Sequence, residues 1–350
     1  MSEFGREEKE RYSRQVNFAG LGLKEQKLLE KSRVLILGCG GLGSTSASIL
    51  ARAGVGYLKL VDRDYMELSN LQRQILYDEH DVKEGLPKAI AAQRKIYEIN
   101  STVKVETVIA DVNRFNIERL IENVDLVIDA ADNFETRFLL NDACVKHKLP
   151  WIYGASIESY GMSMNIFPQK TPCLRCIMEQ LPQQGSVPTC ESVGVLGSIV
   201  TIIASIQAVE AIKILTNKID VLNKNILSID LWQNSYQVID VASANAKTNC
   251  PVCNQKKFDF LSGRFGNVYT KIVGQNAVQI APFQEQSVDL PKLAIELSSL
   301  GSVKVNEYLI RFEIENYELS IFQDGRTIVN GTTDTGIARN FYSKYVTNVD

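Results

Sequence analysis

A glycine-rich turn between an apolar strand and a helix constrains the fold of this chain more than any other feature. RVLIL (33–37) predicts a short buried strand, and GCGGLG (38–43) follows it directly. STSASILARAG then predicts a helix that ends at Gly54, and YLKLV predicts a second strand. A strand, a glycine turn and a helix N-terminus in this order predict a βαβ unit that can hold the phosphates of a nucleotide.

The alternation of helices and strands continues along the chain. Helices are predicted at Arg11–Glu30 and in LPKAIAAQRKIYEIN, NIERLIENV and ETRFLLNDACVKHK, and strands in VKVETVIADV, DLVIDAADN and LPWIYGAS. We therefore expect an α/β fold with a doubly wound, mostly parallel, Rossmann-like sheet. From Gly161 onward, GMSMNIFPQ and NILSIDLWQNSYQVIDVA predict antiparallel strands that continue this sheet.

The length and composition of the chain limit the number of domains and the kinds of partner that we expect. The chain has 350 residues, is 45% hydrophobic and 23% charged, and carries a formal net charge of -3. This charge gives no reason to expect a nucleic-acid or acidic-membrane partner. We expect a main domain in residues 1–257, with the nucleotide site in 11–160 and paired cysteines in 161–257, and a small α+β domain in residues 263–350.

Two further segments bear on the cellular location of the protein. The apolar run Val195–Leu215 has an uncharged part that is short for a membrane span, and Gln207, Glu210 and Lys213 interrupt the rest. The run therefore predicts a buried helix. The N-terminal MSEFGREEKERYSRQ has no apolar core of a signal peptide, so we expect a cytoplasmic protein without a membrane partner.

The residues after YLKLV include more charged and polar side chains than a dinucleotide site needs. Asp62 stands where an acid can hold a ribose, and Asp64 lies nearby. Asn70, Arg73 and Lys88 add an amide and two positive charges. Backbone amides serve the pyrophosphate of a dinucleotide, whereas arginine and lysine suit a triphosphate whose α-phosphate is attacked. The sequence thus favours ATP.

An acid after the next apolar strand fits a metal ion. Asp132 ends DLVIDAADN. Mg²⁺ binds through few protein carboxylates together with the phosphates of a substrate. We therefore expect Asp132 to hold Mg²⁺ beside the triphosphate.

Four of the seven cysteines form two C-x-x-C pairs. They are Cys173 and Cys176, and Cys250 and Cys253. Four thiolates in this spacing predict a closed, structural Zn²⁺ site that joins distant parts of the chain.

Eight short segments follow one another along the chain: RYSRQ (11–15), GCGGLG, DRD, SNLQRQ, LPKA, DAADNFETR, PCLRC and CPVC. In sequence and in order, they resemble the motifs of the ThiF/MoeB/HesA family of adenylyltransferases, which are related to the ubiquitin-activating enzymes. The resemblance implies a homodimer that uses ATP to adenylate the C-terminal glycine of a ubiquitin-like sulfur carrier, ThiS-like or MoaD-like, for thiamine or molybdenum-cofactor biosynthesis. It also implies that a cysteine desulfurase or a rhodanese supplies the sulfur.

The family's motifs also assign roles to individual residues. The expected nucleotide contacts are Gly38, Gly40, Gly41, Gly43, Asp62, Asp64, Ser69, Asn70, Leu71, Gln72, Arg73, Gln74, Lys88, Asp132 and Asn133. Arg73, Lys88 and Asp132 are also expected to be catalytic. Arg14 resembles an arginine that reaches the nucleotide from the other subunit. Cys190 matches a cysteine that forms a covalent acyl intermediate with the carrier in ThiF-like members.

Other functions stay open at this point. An NAD-dependent oxidoreductase explains the glycines and Asp62 but gives no role to Arg73, Lys88 or the cysteine pairs. A peptide or a tRNA is an alternative acceptor for the same adenylation chemistry, and a scaffold that binds a carrier without activating it is a third class. The tail has no cysteine after Cys253, so it is not an active rhodanese. It resembles the tail of ThiF/MoeB-type proteins of Firmicutes.

Overall fold

The structure is a computed structural model that describes residues 5–182, 188–242, 249–263, 269–272, 276–280 and 287–347. The chain forms two compact units. One comprises Met1–Gln183 and Val193–Ser262, and the other comprises Gln184–Ser192 and Gly263–Asp350. The division into domains at residues 1–257 and 263–350 stays a prediction.

An eight-stranded sheet forms the centre of the first unit, in the order β3-β2-β1-β4-β5-β6-β7-β8. Strands β1 to β5 pair in parallel, and β6, β7 and β8 continue the sheet in antiparallel pairs. The strands are β1 Arg33–Leu37, β2 Tyr57–Val61, β3 Lys104–Val108, β4 Leu126–Asp129, β5 Trp151–Ile157, β6 Tyr160–Ile166, β7 Ile226–Asp230 and β8 Ser235–Ile239. The predicted fold class is confirmed.

The helices of the first unit flank this sheet. They are α1 Arg6–Val16, α2 Leu23–Lys31, α3 Gly41–Ala53, α4 Glu79–Glu84, α5 Lys88–Ile99, α6 Ile117–Leu120, α7 Phe134–His147 and α8 Leu174–Ile177. The short helix α9 Cys190–Val193 follows in the chain, and its first three residues belong to the second unit. Helix α10 Gly197–Leu215 completes the helices of the first unit. The prediction of one helix across residues 11–30 is wrong, because α1 ends at Val16 and α2 begins at Leu23. Gly20 and Gly22 lie in the connection, and glycine has a low helix propensity.

Helix α10 carries the longest apolar run. Within the part of the chain that the structure describes, it is the one helix long and apolar enough to cross a membrane by length and composition, and 56% of that stretch is buried inside the protein. It packs against α3, β5 and β6. Its buried residues include Ile199, Ile203 and Ala208, so packing on the sheet explains the apolar run. The prediction of a buried helix is confirmed, and the absence of a membrane partner stays a prediction.

The second unit contains a six-stranded antiparallel sheet in the order β11-β12-β13-β14-β10-β9. Its elements are β9 Tyr269–Ile272, β10 Ala277–Ile280, α11 Leu290–Ser298, β11 Ser302–Val305, β12 Leu309–Ile314, β13 Tyr317–Phe322, β14 Thr327–Asn330 and α12 Thr335–Tyr342. Leu293, Phe312 and Val329 belong to its apolar core. This arrangement agrees with the predicted α+β tail. The end of the predicted strand NAVQIAP, residues 281–282, lies outside the described residues.

The order of the parallel strands locates a crevice. Strand β1 lies between β2 and β4, so the chain runs outward from β1 in both directions. In such sheets ligands bind beyond the carboxyl ends of the strands where the order reverses. Gly38 follows β1, Asp62 follows β2, and Asp132 lies just after β4.

Candidate active site and metal centre

Two glycines shape the turn between β1 and α3. Gly38 has φ of +94°, and a Cβ there would lie 2.5 Å from the carbonyl oxygen of Ala130. A Cβ on Gly43 would lie 1.8 Å from the carbonyl oxygen of Gly38. A side chain at Gly38 would therefore collide with the backbone after β4, and a side chain at Gly43 would push α3 away from the turn. The close approach leaves the first N–H groups of α3, which have no partner within the helix, at the edge of the sheet.

The other two glycines lie against the SNLQRQ segment and α10. Gly40 is the N-cap of α3, and the side-chain amide nitrogen of Gln74 lies 3.8 Å from the place of its missing Cβ. A Cβ on Gly41 would lie 2.6 Å from Val200 and 3.2 Å from the carbonyl oxygen of Arg73. The glycine turn and the predicted phosphate-binding segment are thus neighbours in space.

The acid after β2 holds the glycine turn. The buried Asp62 carboxylate accepts a hydrogen bond from the Cys39 N–H at 2.5 Å and another from the Asp64 N–H at 2.7 Å. Burial raises its pKa to about 6, and the nearby Asp64 charge adds to this, while Lys88 acts in the opposite direction. Carboxylate oxygens can accept further hydrogen bonds, so a ribose can bind here without displacing the turn.

A buried lysine lies beside these acids. Lys88 begins α5, its Nζ lies 3.1 Å from Asp64 Oδ2, and its backbone N–H donates to the Asp64 carbonyl. Burial works against its charge, but the carboxylates of Asp64, Asp62 and Asp132 raise the pKa of Lys88 overall. The lysine is therefore a fixed positive charge at the edge of the sheet.

The sequence reasoning missed a second cation, Arg63. Its guanidinium lies 2.9 Å from Asp111 and 3.6 Å from Asp64. Burial lowers its pKa, but Asp111, Asp64 and Asp132 outweigh this and raise it. The alternation of charge in DRD is the signal that could have drawn attention to it.

The SNLQRQ segment forms a compact turn. Leu68–Asn70 is a 3-10 helix, and the carbonyl of the buried Asn70 accepts hydrogen bonds from the N–H groups of Arg73 and Gln74. Arg73 Nη1 donates to the Ser69 carbonyl at 2.9 Å. The local turn thus orients a half-buried arginine above the glycine loop.

Glutamines and a leucine complete this turn. Leu71 packs against the core, and the exposed Gln72 donates to the Val195 carbonyl at 3.4 Å. Gln74 is buried, and its Oε1 has no hydrogen-bond partner among the described residues. Gln74 therefore offers an unused acceptor beside the glycine turn.

The acid after β4 is exposed. The negative charge of Asp132 contributes to the raised pKa values of Lys88 and Arg63. It accepts a hydrogen bond from the Asn133 amide at 3.1 Å. Asn133 in turn caps α7 by accepting from the Thr136 N–H at 2.8 Å. An exposed carboxylate at this position can bind a cation such as Mg²⁺ together with a phosphate.

A buried arginine supports this loop, and it was not among the predicted site residues. Arg137 Nη2 donates to the carbonyls of Ala131 at 2.6 Å and Gly154 at 2.8 Å, and its Nε lies 3.4 Å from Asp129. Burial raises the pKa of Asp129 to about 6, although the Arg137 charge opposes this rise. Arg137 therefore links the loop after β4 to the middle of β5 and positions the loop that carries Asp132.

Arg14 is not part of this cluster. It is exposed on α1, and α1 is fixed at the far ends of α3 and α5. Gln15 donates to the Ala53 carbonyl, and Arg11 donates to the Ile99 carbonyl. Helices α3 and α5 begin at the site and are about 20 and 18 Å long at 1.5 Å per residue. Within one chain, the arginine is therefore at the opposite end of these helices from the glycine turn.

The four paired cysteines converge. Their sulfur atoms lie within 4.8 Å of one another. The Sγ–Sγ distance is 3.9 Å for Cys173 and Cys176, 3.7 Å for Cys173 and Cys250, and 3.8 Å for Cys176 and Cys253. Tetrahedral zinc with bonds of about 2.3 Å requires sulfur atoms about 3.8 Å apart. The cluster thus fits a closed Zn²⁺ site.

The remaining cysteines are separate from this centre. Cys39 and Cys144 are fully buried, and burial raises the pKa of both thiols. Cys190 is the first residue of α9, is half-buried, and belongs to the second unit. Cys190 is thus the most accessible of these three thiols.

The glycine turn, the acid–lysine cluster and the four-cysteine centre define an adenylate-forming protein with a Rossmann-like sheet. The chain belongs to the ThiF family, which residues 12–252 match. It is 42% identical to the sulfur carrier protein ThiS adenylyltransferase of Bacillus subtilis over 337 residues, which are 96% of this chain and 99% of that protein.

Other relatives are similar in sequence, and a solved structure is similar in fold. The SAMP-activating enzyme E1 of Haloferax volcanii is 37% identical over 71% of this chain and 90% of its own length, and the sulfur carrier protein adenylyltransferase of Thermus thermophilus is 35% identical over 72% and 93%. The crystal structure of E. coli MccB with ATP superposes with a TM-score of 0.59 at 24% identity, covering 66% of this chain and 71% of that one. This likeness supports the fold alone.

Proposed function

We propose that this protein uses ATP to adenylate the C-terminal glycine of a ubiquitin-like sulfur carrier, ThiS-like or MoaD-like, and releases pyrophosphate. The relative from Bacillus subtilis, aligned over 96% of the chain, bears the name of this activity. The observation that carries the proposal is the geometry beside the glycine turn, where Asp62 accepts a hydrogen bond from the Cys39 N–H at 2.5 Å and Lys88 Nζ lies 3.1 Å from Asp64. The enzyme would serve thiamine or molybdenum-cofactor biosynthesis in the cytoplasm.

The reaction is governed by charge. The terminal carboxylate of the carrier attacks the α-phosphorus of ATP, the bond to the bridging oxygen breaks, and pyrophosphate leaves. Both reactants are anions, so the site must screen and align them. Lys88 and Arg73 face the phosphates in this proposal, and Asp62 holds the ribose. Asp132 would hold Mg²⁺, which neutralises phosphate charge when it is bound.

This chemistry needs no general base. A carboxylic acid is already ionised at neutral pH. The two histidines agree with this, since both are exposed and pair with surface acids: His80 lies 3.6 Å from Glu84, and His147 lies 2.5 Å from Glu118. Neither histidine needs a catalytic role.

We also propose that the active form is a homodimer in which Arg14 of one subunit completes the site of the other. The position of α1 supports this, because α1 lies at the C-terminal ends of α3 and α5 whereas the glycine turn lies at their N-terminal ends. Arg14 is therefore far from the nucleotide site of its own subunit. An arginine that stabilises a transferring phosphoryl group can contribute about 10³–10⁵ in rate. The four cysteines would hold a structural Zn²⁺, in line with the spacing of their sulfur atoms.

Sulfur enters after adenylation. A cysteine desulfurase or a rhodanese would supply it to the activated carrier. In this proposal the Cys190 thiolate attacks the carbonyl carbon of the acyl-adenylate, the bond to the phosphate oxygen breaks, a thioester with the carrier forms and AMP leaves. The half-buried position of Cys190 is compatible with that role.

ATP–pyrophosphate exchange with purified ThiS-like and MoaD-like carriers, offered separately, tests the proposal. We expect exchange that depends on a carrier with an intact C-terminal glycine. Exchange with both carriers would indicate a shared activator. A folded protein that binds NAD in preference to ATP would instead favour the oxidoreductase. ATP binding without exchange on either carrier would favour a peptide or tRNA acceptor.

A further inference from the structure

Helix α7 begins at the nucleotide edge of the sheet, and two adjacent residues in its second half contact the segments around the four-cysteine centre. The side chain of Asn141 is fully buried. Its Oδ1 accepts a hydrogen bond from the Leu174 N–H at 2.9 Å, and its Nδ2 donates to the Sγ of Cys173 at 3.7 Å. The oxygen and the nitrogen of the Asn141 amide therefore both form hydrogen bonds within the segment of the first cysteine pair, and these two bonds fix the orientation of the amide.

The next residue holds the chain that follows the second pair. Asp142 Oδ2 accepts a hydrogen bond from the Phe260 N–H at 2.9 Å. Arg175, between the first two cysteines, provides a favourable charge for this carboxylate. Adjacent residues of α7 thus contact the segment of the first cysteine pair and the segment that follows the second pair.

The contact from Asn141 has a specific chemical consequence. Four thiolates and one Zn²⁺ leave two net negative charges on the sulfur atoms, and an N–H donor stabilises such charge. Cys173 is fully buried, so water cannot take the place of this donor. Cys250 receives a corresponding contact from the backbone N–H of Cys253 at 3.4 Å. The donor to Cys173 is instead a side chain, which a substitution can remove.

We propose that Asn141 is an outer-shell residue of the four-cysteine centre that donates a hydrogen bond to the Cys173 thiolate and thereby slows loss of the metal. Asp142 supports the segment that follows the second cysteine pair through its hydrogen bond with the backbone N–H of Phe260. This inference rests on the Zn²⁺ assignment made under the proposed function. It concerns retention of the metal rather than adenylation.

Two substitutions separate the parts of this contact. Asn141→Ala removes both hydrogen bonds. Asn141→Asp keeps an oxygen that can accept from the Leu174 N–H, but it removes the donor and places a negative charge beside the thiolates. Asn165→Ala is the matched control, because Asn165 is also buried and its amide donates to Glu210 and to the Asn223 carbonyl, away from the cysteines.

The measurement is the rate at which the full-length, zinc-loaded protein releases Zn²⁺ to a chromogenic chelator. We expect Asn141→Ala to release Zn²⁺ about 10- to 100-fold faster than wild type, and Asn141→Asp at least as fast. Asn165→Ala should match wild type even where its melting temperature is lower. If Asn141→Ala does not fold, Asn141→Asp carries the same test.

A spectroscopic signature provides a second readout. In the Co²⁺-substituted protein, the sulfur-to-cobalt charge-transfer band should shift in both Asn141 variants and stay unchanged in Asn165→Ala. Wild-type release rates and an unshifted band in the Asn141 variants would overturn the proposal, as would equal acceleration in Asn165→Ala. A wild-type protein that binds no Zn²⁺ would instead refute the metal assignment on which the proposal rests, and ATP–pyrophosphate exchange tests the adenylation proposal separately.

Discussion

Replacement of Lys88 by methionine should cost both stability and activity. Lys88 Nζ lies 3.1 Å from Asp64, and the side-chain exposures are 9% for the lysine and 42% for the aspartate. Two unit charges at this distance attract by about 5 kcal/mol at an effective dielectric constant of about 20, before desolvation is counted. Loss of one partner of a fully buried pair costs about 3–5 kcal/mol. Because water screens Asp64, we expect about 1–3 kcal/mol here.

The stability loss should depend on pH in a defined direction. The pKa of Asp62 is raised from 3.8 to about 6, and Lys88 limits this rise. Without the lysine the pKa should rise further. An acid whose pKa is raised in the folded state binds its proton more tightly there, so the folded state loses stability as pH rises through that value. The loss in the free energy of unfolding caused by Lys88→Met should therefore be larger at about pH 8 than at about pH 5.5.

Urea unfolding at these two pH values measures the deficit, and ATP–pyrophosphate exchange measures activity. Exchange should fall by about 10²–10³, the loss typical of one preorganised charge-stabilising group. In Asp64→Asn/Lys88→Met most of the stability should return, because neither charge is left alone, while exchange stays low. Equal stability loss at both pH values, or exchange at the wild-type rate, would refute this reasoning.

Three further predictions concern the other predicted residues. Arg14→Ala and Lys88→Met should each be inactive alone, and a reassembled mixture should regain up to about a quarter of wild-type exchange, since half of the dimers carry one complete site; no recovery in mixed dimers would place Arg14 in its own subunit's site. Removal of Zn²⁺ by a chelator should lower the melting temperature before exchange is lost, because a structural zinc site contributes to folding; an unchanged melting temperature in a fully demetallated sample would contradict the zinc assignment. Cys190→Ser should keep exchange at the wild-type rate and weaken sulfur transfer to the carrier, and full sulfur transfer by this variant would exclude a covalent role.

The parts of the fold that the sequence could predict are those with local signals. The turn after β1 was predictable because Gly38 needs a positive φ and Gly43 needs the absence of a Cβ, and both requirements are visible as glycines. The cysteine centre was predictable because C-x-x-C spacing is itself a property of the chain. The division of the N-terminal helix was missed because helical periodicity outweighed the signal of Gly20 and Gly22.

Contacts between distant residues were not predictable in the same way. Arg63 reaches Asp111, which lies on the loop after β3, and the pairing exists only because β2 and β3 are neighbours in the sheet. Arg137 and Asn141 looked like ordinary polar residues of a helix. Their roles depend on the carbonyl of Gly154 and on the sulfur of Cys173, which the sheet and the cysteine centre bring to that helix.

The central claim is that this protein forms an acyl-adenylate on a sulfur carrier, and intact-mass spectrometry of the carrier tests it most directly. The carrier is incubated with ATP, Mg²⁺ and the zinc-loaded protein, without a sulfur donor. The account predicts a carrier bearing AMP on its C-terminal glycine, and no such species when that glycine is deleted. A carrier whose mass never changes, in the presence of folded protein that binds ATP, would contradict the account.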